Sequence, residues 1–251
     1  MGVEPRWEAR FFRHTEFTTP NVRSYNANGY ATIALAAELY PFVNVGPSFW
    51  RGFGLILGFA HSIGLHSESR RLGATVELPS LPVDTYFSRY TVGLRYRLAV
   101  NPASAIPVVL GTSASLCGWD FDFGPELPRG PDLEVPTADY RMIRFGIDGA
   151  VSFSPFTFST AVSYLHAFSV EPPSSRELAT LRYPHLATAE GMGAEVRAAL
   201  GVVVWRQLEL RLSAEYAALA FNLEPLRGRD DRAALVVDSY LSVGLGAYVR
   251  F

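Results

Sequence analysis

The chain has 251 residues, with 22 basic and 24 acidic side chains and a formal net charge of −2. That balance leaves no electrostatic footprint for nucleic acid, and the single cysteine, Cys117, excludes an internal disulfide. Mean hydropathy is only +0.12, and no stretch reaches the ~18–20 apolar residues of a membrane-spanning helix. Any passage through lipid must therefore be made by strands closed into a barrel, the other arrangement that satisfies every backbone group there. No Pro/Gly/Ser-rich linker divides the chain, so residues 1–251 read as one domain. Every basic residue is Arg, which reflects coding bias more than a physical demand, although Arg suits buried bidentate pairs better than Lys. The N-terminal MGVEPRWEARFF lacks the basic and apolar regions of a signal peptide. A secreted barrel needs one, so the expectation is that it was removed or that the chain is cut from a longer one.

The pattern along the chain is strict alternation broken by turn residues, the mark of half-apolar strands. The first strand runs from Arg6 to about Thr15, with Trp7, Ala9 and Phe11 on one face and Glu8, Arg10, Phe12 and His14 on the other. The second, Tyr30 to Tyr40, sets Ile33, Leu35 and Leu39 against Thr32, Ala34 and Glu38, and Pro41 to Ser48 turns it. The third, Phe49 to about Leu65, opposes Phe53, Leu55, Leu57 and Phe59 to Gly54, Gly58, Ala60 and Ser62. A long polar loop from Ser67 to Pro82, within which Ala74–Leu78 has strand character, leads to the fourth, Tyr86 to Val100. The fifth is Ile106 to about Phe121, ending beyond Cys117, which reads as a small packed side chain. A proline-rich loop from Gly124 to Asp139 precedes the sixth, Tyr140 to Phe153. The two-residue reversal Ser154-Pro155 starts the seventh, Phe156 to Phe168. The eighth spans Ala189 to Trp205, Arg206-Gln207 turns it, and the ninth spans Leu208 to Leu223. The tenth, Ala233 to Phe251, alternates throughout and ends on an aromatic.

Connections alternate between short and long, and both termini fall at the short-turn end. Short periplasmic turns and long extracellular loops on an even-numbered meander are how transmembrane barrels are built. With the alternating last strand and Phe251, this pattern resembles the bacterial outer-membrane β-barrel superfamily over nearly the whole chain. The resemblance implies an all-β, antiparallel up-and-down transmembrane barrel of about ten strands, with about eight or twelve as alternatives. It also implies residence in the bacterial outer membrane, contact with its lipid, and recognition by the barrel-assembly machinery through the C-terminal strand, with Tyr248 and Phe251 as the signal. No cofactor, metal or nucleic-acid partner is implied, and a monomer is expected. A soluble barrel or sandwich is the alternative, since alternation alone fits both. Small residues on the polar face favour the membrane. So do aromatics near the short-turn end (Tyr40, Phe42, Phe49, Trp50, Phe153, Phe156, Trp205 and Phe251), which suggest an interfacial girdle.

If the apolar face meets lipid, the lumen receives Glu8, Arg10, Glu38, Arg89, Arg95, Arg97, Arg144, Asp148, Glu195, Arg197, Glu209, Arg211, Glu215, Asp238 and Arg250. Burial forces such charges into Arg–carboxylate networks. Barrels of about eight strands are filled by side chains, and open channels appear near about 16. A plugged, salt-bridged, non-enzymatic barrel is therefore expected, with a structural, anchoring or surface-interaction role; a narrow ion or small-solute channel is the alternative. A rim hydrolase would have to draw on Asp120, Asp122, His66, His185, Asp84 and Asp139, which match no omptin motif residue by residue. Lipid-modifying barrels place His and Ser on the lipid face. His61 and His166 are expected to point outward, but neither is followed by Ser two residues later.

Overall fold

The computed structural model describes residues 1–14, 25–44, 49–69, 81–123, 138–171, 191–223 and 234–249. Its strands are β1 (Gly2–His14), β2 (Tyr25–Leu39), β3 (Phe53–Ile63), β4 (His66–Ser69), β5 (Leu81–Ala99), β6 (Val108–Phe123), β7 (Ala138–Phe153), β8 (Phe156–Glu171), β9 (Gly191–Trp205), β10 (Leu208–Leu223) and β11 (Ala234–Val249). All neighbours are antiparallel. β1 pairs with both β2 and β11, and β3 pairs with both β2 and β5, so the sheet closes on itself. β4 continues the stave of β3 along β5, giving a closed ten-stave barrel.

Closure follows from the sequence pattern. A strand with one apolar and one polar face leaves an open sheet with two unpaired edges, and joining the first strand to the last removes both. Here Gly2 stands opposite Tyr248 and His14 opposite Val236, a seam in one register between the two ends of the chain. Two reversals are minimal: Ser154-Pro155, with a cis peptide bond, and Arg206-Gln207, between the paired Trp205 and Leu208. The Asn101 side chain accepts the Val108 N–H at 2.8 Å, holding the turn from β5 to β6.

Several boundaries differ from the sequence-based expectation. β1 begins at Gly2 rather than Arg6, which brings Glu4 into the barrel wall. β2 begins at Tyr25, because pairing with β1 carries it past the Asn28-Gly29 bulge, where Gly29 takes φ +82° beneath Trp7. Phe49 does not start a strand: Trp50–Gly52 form a 3₁₀ turn, and Phe49, Trp50, Phe53 and Tyr96 pack edge on or tilted at the short-turn end. The Ser67–Pro82 loop is shorter than expected, since Ser67–Ser69 pair with Leu81–Val83. At Gly64, φ +60° shifts the alternation by one residue, so that Leu65 turns inward and is buried. The expected Ala74–Leu78 arm lies outside the described residues.

Alternation of exposure along every stave separates the two faces. Leu35, Leu57, Phe59, Leu94, Leu116, Phe145, Ile147, Val196 and Leu212 are exposed on the outside, while charged and polar side chains turn in and are buried. That is the reverse of a soluble barrel, whose apolar face would be hidden. A span needs about 9–11 residues of tilted strand. Staves of 15 or 16 residues therefore rise beyond the bilayer at the long-loop end.

Candidate functional site

Among the described residues, eight carboxylates (Glu4, Glu8, Glu38, Asp148, Glu195, Glu209, Glu215, Asp238) and eight guanidiniums (Arg6, Arg10, Arg89, Arg95, Arg97, Arg144, Arg197, Arg211) point into the barrel. They fall into two storeys. Arg250, on the same face by alternation, lies outside the described residues.

The upper storey, toward the long loops, is dry. Arg10 and Asp238 have no exposed side-chain surface and meet through Nη2 and Oδ2 at 2.8 Å, with Nε 3.1 Å from both carboxylate oxygens. Tyr140 and Tyr240 donate their hydroxyls to the same Oδ2 at 2.7 and 3.0 Å. Aromatic rings close around the pair. Phe121 lies 4.1 Å beneath the guanidinium carbon, Phe87 stacks on Tyr240 with centroids 5.5 Å apart, Trp119 meets Tyr240 edge on, and Phe221 stacks on Tyr140. Tyr30, Met142, Leu165 and Leu219 complete one buried cluster across the bore. A buried ion pair is tolerable only when its remaining lone pairs and protons are used, and here two phenols and a cation–π face use them.

The lower storey is wet and built from Arg–carboxylate chains. Glu4 accepts Arg6 Nε at 2.7 Å and also the hydroxyls of Ser213 and Tyr248. Arg89 binds Glu215 and lies 3.4 Å from Glu8, while Arg6 reaches Glu215 at 3.7 Å. Arg95 bridges Glu38 and Asp148, and Arg97 Nη2 meets Glu38 at 2.9 Å. Arg144 donates to Ser115 Oγ at 3.1 Å and Glu195 at 3.3 Å, and Arg197 Nε lies 2.8 Å from Glu195. Arg211 Nε donates to Glu209 at 3.1 Å and its guanidinium sits 4.1 Å from the Tyr248 ring. Between these charges the wall is small: Gly93, Ser113, Gly146, Ala161 and Ala199 are only half-buried, so solvent reaches them.

Tyr40, expected in the outer girdle, instead turns inward: its hydroxyl donates to Glu38 at 3.1 Å and Arg97 stacks on its ring. Cys117 is buried within β6, near Thr91 Oγ1 at 3.5 Å. Sequence reasoning missed Glu4, which lay before the expected start of the first strand, and Arg6, which stood at that start on the inward face but was not counted among the lumen charges. It also missed the aromatic storey, although Phe87, Phe121, Tyr140 and Phe221 all occupy inward positions by alternation.

The candidates for rim chemistry do not converge. His66 Nδ1 pairs with Asp84 at 2.9 Å on the outer surface. Asp120 and Asp139 are directly opposed on neighbouring staves and are clamped by Arg141, at 3.6 and 3.0 Å. These groups face away from the lumen, and His185 lies outside the described residues. The outward histidines fare differently. His61 Nδ1 lies 2.7 Å from Ser88 Oγ, a serine supplied by the adjacent stave rather than two residues on. The His61 ring lies parallel to Phe59 at 6.4 Å, and no carboxylate orients its second nitrogen among the described residues. His166 is half-exposed beside Met192.

An even-staved, closed antiparallel barrel that is apolar outside, charged inside and short-turned at one end defines a transmembrane barrel of the bacterial outer-membrane type. No protein-family model matches the chain, and no curated protein matches it. Among solved structures it is similar to the outer membrane protease OmpT from Escherichia coli, at 9% identity and a TM-score of 0.49, covering 99% of this chain and 97% of that one. The NanC porin gives 10% identity and a TM-score of 0.34 over 98% and 100% of the two chains. A Pseudomonas aeruginosa FadL homologue gives 10% and 0.29 over 99% and 89%.

Proposed function

We propose that the protein is a closed-lumen, non-enzymatic outer-membrane barrel that serves as an anchor or surface-interaction scaffold for its long loops. The observation that carries this reading is the dry storey. Arg10, Asp238, Tyr140 and Tyr240, packed among Phe87, Phe121 and Phe221, fill the bore from wall to wall. Ions crossing that layer would be stripped of water against apolar rings, a barrier of the kind that closes hydrophobic gates. The barrel would sit as a monomer in outer-membrane lipid, delivered by the assembly machinery through β11, with Tyr248 and Phe251 as the recognised residues.

The alternative is a narrow channel, favoured by the solvent-reached lower storey. Single-channel recording of the refolded protein in a planar bilayer separates the two, after heat-modifiable migration has shown that it is folded. Silence is expected for the parent and for Arg95→Ala and Arg197→Ala. Discrete steps that change with either substitution would establish a pore and overturn the closed-lumen reading.

A further inference from the structure

The lumen balances its charges in number but not in position. Around Arg197 and Arg211 in the lower storey the carboxylates lie behind and the guanidiniums in front. Side-chain exposure is 39% for Arg197, 37% for Arg97 and 30% for Arg211, against 3% for Glu195 and 1% for Glu209. Glu38 is the acid that water reaches, at 33%, and it is held by Arg95, Arg97 and Tyr40 together. Solvent entering from the short-turn end therefore meets three arginines and one carboxylate.

Each of these arginines is fixed yet incompletely used. Arg197 touches Glu195 and Glu215 through Nε alone, at 2.8 and 4.0 Å, which leaves both terminal NH₂ groups without a partner among the described residues. Arg97 meets Glu38 through Nη2 and Arg211 meets Glu209 through Nε, so each keeps donors facing the cavity. Tyr40 and Tyr248 lie against Arg97 and Arg211, limiting their rotation. Beside Arg197 the wall carries Ala161, its register partner on the next stave, with Gly146 and Ser113 on the staves beyond, so the side chains flanking the fork are small.

A planar guanidinium with free N–H groups, its charge only partly answered, in a site of limited hydration, is a bidentate receptor for oxyanions. We propose that the lower lumen is a blind cup that binds a small oxyanion, a carboxylate or a phosphate, entering from the periplasmic side. Arg197 supplies the fork and Arg97 and Arg211 flank its mouth. The dry storey makes it a binding cup rather than a conduit, and the small, half-buried Ala161 beside Arg197 leaves room for the ligand.

The test is isothermal titration of the refolded, full-length protein in detergent at low ionic strength, with inorganic phosphate in one arm and acetate in the other. Saturable binding at roughly 1 mM or tighter is expected in at least one arm, and which arm responds identifies the anion class. Arg197→Gln should weaken it at least about tenfold, while Arg206→Gln, on an exposed turn, should leave it unchanged. If Arg197→Gln does not fold by heat-modifiable migration, Ala161→Phe fills the same space without removing a charge and should abolish binding. No saturable binding in either arm, or binding indifferent to both Arg197→Gln and Ala161→Phe, overturns the proposal. A conducting barrel that binds anions would refute only the closed lumen, and a silent barrel that binds none would refute only the cup.

Discussion

The two storeys of the lumen use the same chemistry, arginine against carboxylate, in opposite ways. Above, Arg10 and Asp238 are wholly buried, and each donor and acceptor is answered by a phenol, a ring or the partner charge. Below, Arg97, Arg197 and Arg211 each meet their carboxylates through a single nitrogen and stay partly in reach of water. Burial raises both the attraction within a pair and the cost of breaking it, whereas hydration lowers both. The upper pair should behave as structure and the lower arginines as surface.

The largest effect should come from splitting the upper pair. Asp238→Ala strands the Arg10 guanidinium and two tyrosine hydroxyls, and should cost about 3–5 kcal/mol, read as a lower midpoint for loss of the folded band in urea. Replacing both partners, Arg10→Met with Asp238→Leu, should recover most of that loss, since an apolar pair suits the surrounding rings. A double variant as unstable as the single one would mean that the ion pair itself, rather than its burial, holds the barrel shut.

Next comes the seal. Phe121→Ala removes the ring beneath Arg10 and, as a truncation in a packed layer, should cost about 3–5 kcal/mol. Phe121→Ala combined with Tyr240→Ala should also admit ions, giving conductance steps absent from the parent. The lower storey offers the contrast: Arg97→Ala should change stability by about 0–1 kcal/mol and leave the bilayer silent. Conductance from Arg97→Ala alone would move the barrier from the upper storey to the lower.

Alternation placed Glu8, Arg10, Asp238 and the other charges on one face of their strands because a strand leaves no other choice. Partnership was not readable in the same way. Glu4 and Tyr248 are joined by closure of the barrel, and Arg89 and Glu215 lie on staves far apart in sequence. The wet and dry storeys were written in the inward positions, where Phe87, Phe121, Tyr140 and Phe221 give way to Gly93, Ser113, Gly146 and Ala161. Gly64 was the other obscured point, because a residue with φ +60° shifts the alternation after it.

That shift sets up a smaller prediction. Gly29 and Gly64 both take positive φ, and any L side chain in that region costs roughly 1–2 kcal/mol. Gly29→Ala should reach or exceed the upper end, because its methyl would also collide with the Trp7 indole. Gly64→Ala meets open space and should show the backbone cost alone.

The smallest effect belongs to the outer surface. His61 and Ser88 are spaced like a nucleophile and its base, at 2.7 Å, and an activated serine also needs an orienting group for the base and donors for the oxyanion. Along β3 and β5 the backbone N–H groups are committed to the sheet, and no carboxylate meets the second imidazole nitrogen among the described residues. Ser88 should therefore resist a fluorophosphonate probe presented in mixed micelles, and Ser88→Ala should alter stability by no more than about 0.5 kcal/mol. Stoichiometric labelling that disappears in both Ser88→Ala and His61→Gln would give this barrel a lipid-facing hydrolase. The long loops would then no longer be the place to look for its activity.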